Sequence, residues 1–103
     1  MRIQQVQNTQ RVYDDIRVCK LTTVETEQEL LTDELIDEGE EVHLFELITS
    51  QSCQIILTFS NGKVSRPKTI EPNRVITFEN LRPIVSVKFI GTVGTSLDVA
   101  VAI

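Results

Sequence analysis

The sequence predicts an all-β domain, an antiparallel β-sandwich or jelly roll of six to eight short strands. Three observations predict it. Apolar and polar residues alternate with the two-residue period of a strand over residues 85–89 and 97–103. Turn-forming groups, Asp37-Glu38-Gly39, Asn61-Gly62 and Glu71-Pro72-Asn73, punctuate the chain at short intervals. The 103 residues are 41% hydrophobic and 24% charged, enough to pack one core and too few for two.

Residues 1–10 hold four Gln and one Asn and only Ile3 and Val6 as apolar residues after Met1, so they read as an N-terminal arm preceding a sandwich domain over 11–103. From 11 to 24 the residues are β-prone (Val12, Ile16, Val18, Leu21 and Val24 with Thr22 and Thr23) and suit one or two strands. Residues 25–41 read as short strand, acidic turn, strand, although Leu30, Leu31, Leu35 and Ile36 also suit a single helical turn near residue 33. Residues 42–48 form a strand buried on both sides, with Val42, Leu44 and Ile48 on one face and Phe45 and Leu47 on the other. Residues 53–59 form the next strand, with Ile55, Leu57 and Phe59 pointing one way. Asn61-Gly62 then suits a type I′ hairpin turn, because both residues tolerate positive φ.

An edge strand over 63–70 is broken by Pro67, which has no N–H to donate. Residues 74–78 are a strand with Ile76 and Phe78 on one face, and Leu81-Arg82-Pro83 is a break before residues 85–89. A glycine-containing hairpin loop, residues 91–96, leads to the last strand.

Charge is unevenly placed. Residues 21–50 carry ten Asp or Glu and no Lys or Arg, whereas residues 1–20 carry Arg2, Arg11, Arg17 and Lys20 against Asp14 and Asp15. A nucleic-acid binder needs cations for phosphates, so the sign of the densest charge argues against nucleic acid as a partner. No run of 18 apolar residues occurs, which argues against a membrane-spanning helix, and the N-terminus lacks the apolar stretch of a secretory signal. Cys19 and Cys53 form no cysteine framework and read as reduced thiols of an intracellular chain.

Candidate chemistry is sparse. His43 is the sole histidine and shares its strand face with Phe45 and Leu47, with no motif supplying a nucleophile, so it reads as structural. Gly91-Thr92-Val93-Gly94-Thr95 resembles a phosphate loop in composition, but the residues after Ser96 alternate as a strand where a helix N-terminus is required. Asp33, Glu34, Asp37, Glu38, Glu40 and Glu41 lack the spacing of an EF-hand loop and read as a solvated acidic turn. A glycosidase would need sugar-stacking aromatics, and the chain has no Trp and one Tyr. The expectation is a protein that is not an enzyme and holds no cofactor or metal.

The order of elements carries a resemblance. Thr26-Glu27-Gln28-Glu29-Leu30-Leu31 is a polar lead-in ending in a Leu pair, and Glu40-Glu41-Val42-His43-Leu44-Phe45 runs from turn to apolar strand. Cys53-Gln54-Ile55-Ile56-Leu57-Thr58-Phe59-Ser60-Asn61-Gly62 is a strand ending in a turn, and Ile70-Glu71-Pro72-Asn73-Arg74-Val75-Ile76-Thr77-Phe78 places an Ile-x-Pro turn before a strand. With the Gly-Thr-x-Gly-Thr stretch from Gly91 and the alternating strand to Val101, this layout resembles small β-sandwich virion proteins of tailed bacteriophages, of the capsid-decoration or head-fibre-base kind.

The resemblance implies a non-enzymatic virion structural protein, assembled in the host cytoplasm. It would bind capsid or connector subunits as a symmetric homo-oligomer, with a trimer as the expected form. The natural tether to a neighbouring subunit is the basic N-terminal stretch with Arg2, Arg11, Arg17 and Lys20. The alternative is a generic β-sandwich adaptor or glycan-binding module.

Overall fold

The computed structural model describes residues 13–103; the expected arm over residues 1–10, together with Arg2 and Arg11, lies outside the described residues. The described chain is all-β and antiparallel. Its seven strands are β1 (Ile16–Thr22), β2 (Glu27–Glu29), β3 (Val42–Thr49), β4 (Cys53–Phe59), β5 (Lys68–Ile70), β6 (Ile76–Ile90) and β7 (Ser96–Ala102). They form one hydrogen-bonded path, β1-β7-β3-β6-β4-β5, with β2 added on β6.

The 15-residue β6 converts this path into a sandwich. Its first part pairs with β3, setting Phe78 opposite Phe45 and Ile76 opposite Leu47. Its second part pairs with β4 on one side, Val87 opposite Leu57 and Phe89 opposite Ile55, and with β2 on the other. One half of the sheet is therefore β1-β7-β3 with the start of β6, and the other is β2, β4 and β5 with its end. Phe45, Leu47, Val99 and Val101 of the first half join Ile55, Leu57, Val87 and Phe89 of the second in a single core cluster. Each such buried side chain contributes about 1.5–3 kcal/mol.

Residues 81–83 do not break the chain into two strands as expected; β6 runs through them. Val42 pairs with Ile84 and Leu44 with Glu79, so the single residue His43 faces the four residues 80–83, which form a wide bulge. Proline is tolerated there because no ladder bond needs its missing N–H, and its carbonyl accepts from Ser60 N at 2.9 Å. The same irregularity buries Val42, which was expected on the face of Leu44 and Ile48. The strip 25–41 contains both expected features. β2 is the short strand, and Ile36 N donates to Thr32 O at 3.0 Å in one turn of helical spacing. A second turn is closed by Glu40 N donating to Asp37 O at 3.1 Å, with Gly39 at φ +85°.

Two turns differ from expectation. At Asn61-Gly62 only Gly62 has positive φ, whereas a type I′ turn requires both. Gly62 N donates to Phe59 O at 2.8 Å and Phe59 N to Lys63 O at 2.9 Å, so the connection is a three-residue loop in which glycine alone takes the left-handed position. The 91–95 segment is not a hairpin, because β7 lies between β1 and β3 rather than beside β6. It crosses from one half of the sandwich to the other and is anchored on buried Thr23. The Thr23 hydroxyl donates to Thr92 O at 3.0 Å and accepts from Thr95 N at 3.0 Å.

Candidate functional site

Among the described residues, strand β1 lies at an open edge of the sheet and pairs only with β7. Ile103 N donates to Asp15 O and Thr23 N to Thr95 O, which sets the odd-numbered residues of β1 as those bonded to β7. The even-numbered residues Ile16, Val18, Lys20 and Thr22 therefore turn their backbone N–H and C=O groups outward along the edge. Their side chains lie on the outer face of the sheet, with Ile16 68% and Val18 78% exposed. Ile16, Ala102 and Leu44 form one row of that face, and Val18, Ala100 and Glu46 the next. Ala100 is small beside its neighbours on β1 and β3, and above it runs a shallow, mainly apolar groove of about 350 Å³.

Of the basic residues expected to act together, Arg2 and Arg11 lie outside the described residues, and Arg17 and Lys20 point to opposite faces of β1. Arg17 faces inward. Its guanidinium donates to both oxygens of Glu40 at 2.6 Å, to Asp15 Oδ2 at 2.8 Å and to Leu35 O at 2.9 Å. This fork ties the acidic 32–41 loop to β1. The Arg17 hydrogen bonds, followed by that from Asp37 N, lower the Glu40 pKa from 4.5 to about 2. The same contacts, Glu40 first and then Asp15, raise that of Arg17. Lys20 is exposed and its Nζ lies 3.9 Å from Asp98 Oδ1.

The acidic stretch is thus partly an internal clamp rather than a wholly solvated turn. The loop also walls a groove of about 680 Å³, floored by Leu31, Ile36, Val42 and Ile84 and rimmed by Asp33, Asp37 and Glu38. Glu29, which sequence reasoning passed over, accepts from Val87 N at 2.8 Å, from Leu31 N at 3.0 Å and from the Ser86 hydroxyl. No local motif could have revealed these roles, because Arg17 and Glu40 lie 23 positions apart and Glu29 and Val87 lie 58 apart.

His43 is buried at 4% exposure, on the inner face with Phe45 and Leu47. Its Nδ1 lies 3.0 Å from Asn80 O, and its Nε2 has no hydrogen-bond partner among the described residues. No group of three or more His, Cys, Asp or Glu residues placed to hold a metal ion occurs among the described residues. Both cysteines are free; Cys53 is buried, and that burial pushes its thiol pKa up, away from the reactive thiolate. Tyr13, the sole tyrosine, donates its hydroxyl to Glu79. No family model matches the chain, and no curated protein matches it either.

Proposed function

We propose that this chain is a non-enzymatic structural protein that assembles with other protein subunits. Its specific form would be a virion component of the capsid-decorating or head-associated kind, acting as a homo-oligomer. The observation that carries this reading is the open β1 edge, where Ile16 and Val18 stand exposed beside an apolar outer face. A strand of seven residues with no proline and no bulge, paired on one side only among the described residues, is a template for pairing with another chain. Its exposed apolar side chains add burial of about 25 cal/mol per Å² covered. Where this edge docks on a different surface of the next copy, the contact is head-to-tail and closes into a ring only if the rotation between copies permits; a three-fold ring would suit the local three-fold axes of a shell.

Light scattering on the full chain tests the reading. The expected mass is that of a trimer, falling to a monomer in the Ile16→Lys, Val18→Lys double variant with an unchanged circular dichroism spectrum. A strict monomer at all concentrations would overturn it in favour of a monovalent adaptor or glycan-binding module. A trimer that survives the double variant would remove β1 from the contact.

A further inference from the structure

We propose that the groove walled by the acidic 32–41 loop is the docking site of the chain's own N-terminal segment, residues 1–12. The groove of about 680 Å³ has an apolar floor. Half-buried Leu31, Ile36 and Pro83 line it above buried Val42 and Ile84. Val85 lines it too and stays 54% exposed, directly after a core residue. Covering such a floor gains about 25 cal/mol for each Å² of apolar surface taken out of water.

The rim decides the sign of the occupant. Asp33, Asp37, Glu38, Glu40 and Glu41 line the groove, and no Lys, Arg or His does. Arg17 pairs with Glu40, and His43 lies beside Glu41. Among the described residues, no cation pairs with Asp33, Asp37 or Glu38. An apolar floor ringed by unpaired carboxylates is complementary to a segment carrying apolar side chains and positive charge. The same rim repels nucleic acid, and no aromatic side chain lines the groove to stack on a sugar ring.

Residues 1–12 have that chemistry. They hold Arg2 and Arg11, the apolar Met1, Ile3, Val6 and Val12, and no Asp or Glu. They also start from the right place. The described chain begins at Tyr13, and Asp14 lines a pocket together with Glu40 and Glu41, both of which line the groove as well. Twelve extended residues span at most about 40 Å, close to the 44 Å longest extent of the described chain, so the whole groove is within reach. A tether this short gives an effective concentration in the millimolar range, and the chain's own segment therefore outcompetes that of another copy at micromolar protein. The groove shares no lining residue with the apolar groove beside β1, so this contact is separate from assembly through that edge.

A nitroxide attached to the full chain through Gln4→Cys, with Cys19→Ser to leave only buried Cys53, tests the docking by NMR. The expected result is paramagnetic broadening of the Leu31, Ile36 and Val85 methyl signals, with those of Val18 and Ala100 on the outer face left sharp. Asp37→Asn with Glu38→Gln removes two rim charges at exposed positions, where the fold does not depend on them. That variant is expected to lower the docked-to-open ratio about two- to tenfold, and added salt should act in the same direction. A mixture of spin-labelled chains with isotope-labelled chains that carry no nitroxide is expected to show no broadening in the groove. Groove signals that stay sharp in the labelled chain, broadening unchanged by the rim variant, or broadening of equal strength in the mixture, which would put another copy's segment in the groove, would each overturn the proposal.

Discussion

At position 17 one guanidinium joins a strand edge, an acidic loop and the lead-in to β1 through Glu40, Leu35 O and Asp15. The pH dependence of this clamp follows from the Glu40 carboxyl, whose folded pKa of about 2 lies below its ordinary 4.5. Its contribution to stability is complete above about pH 4.5 and is lost as pH falls toward 2. Denaturant melts between pH 7 and pH 2 are expected to show a smaller acid loss for Glu40→Gln than for the native chain, and an equal loss would remove Glu40 from the acid transition. Gly91 illustrates a different constraint. A Cβ there would lie 2.8 Å from the Phe89 ring and 3.1 Å from Cys53 Cβ, both in the core. Gly91→Ala is expected to cost about 1–3 kcal/mol in urea unfolding. The thiols should separate by accessibility: a disulfide-exchange reagent should label half-buried Cys19 in the native protein and Cys53 only as the chain opens.

Among the elements, the crossover from β6 to β7 depends on Thr23, whose hydroxyl satisfies the Thr95 N–H at 3.0 Å inside the fold. Thr23→Val keeps the shape but leaves that donor unpaired, and equilibrium unfolding should show a loss of about 1–3 kcal/mol. The β6 bulge makes a contrasting pair of predictions. Leu81 is 82% exposed at its crest, so Leu81→Asp should stay within about 0.5 kcal/mol of the native stability. Ile84, buried just past the bulge, should lose about 2–5 kcal/mol on substitution by Ala. The bulge also shows why local reading of this region misleads. Leu81-Arg82-Pro83 has the composition of a turn, and the pairing of β3 with β6 on both sides of the bulge keeps those residues in one strand. At 91–96 the glycines do mark a turn, with Gly94 at φ +88°, but partner choice rests on β1 and β3 flanking β7.

For the molecule as a whole, residues 13–103 already close one core from both halves of the sheet. Deleting residues 1–10 is therefore expected to leave the circular dichroism spectrum unchanged, while the basic-arm reading expects loss of binding to undecorated particles; retained binding would take the arm out of the assembly. The outer face and β1 edge belong to the same scale. Alternation alone would turn Ile16 and Val18 inward as core residues. The fold instead directs Arg17, Cys19 and Leu21 inward, because Leu21 and Cys19 pack on the core and Arg17 finds Glu40 across the opening between the halves. An apolar pair left in solvent is the price of that parity, and it supplies the surface on which assembly is proposed.

What the amino-acid order determined by itself was the class and the punctuation: antiparallel strands from two-residue alternation, and turns wherever Gly, Pro, Asn or Asp interrupt it. The buried faces of β4 and β7 were legible because hydrophobic burial acts on each strand's own period, whereas β3, expected to be buried on both sides, leaves Leu44, Glu46 and Ile48 half-buried. Tertiary structure alone decided which strands are neighbours, that β6 spans both halves, and that Arg17 meets Glu40. It also decided that His43 Nε2 is buried 3.5 Å from Glu41 Oε1 with no hydrogen-bond partner among the described residues. Those outcomes depend on contacts between residues distant in sequence, where loop closure and packing against the rest of the chain set the pairing and local composition does not.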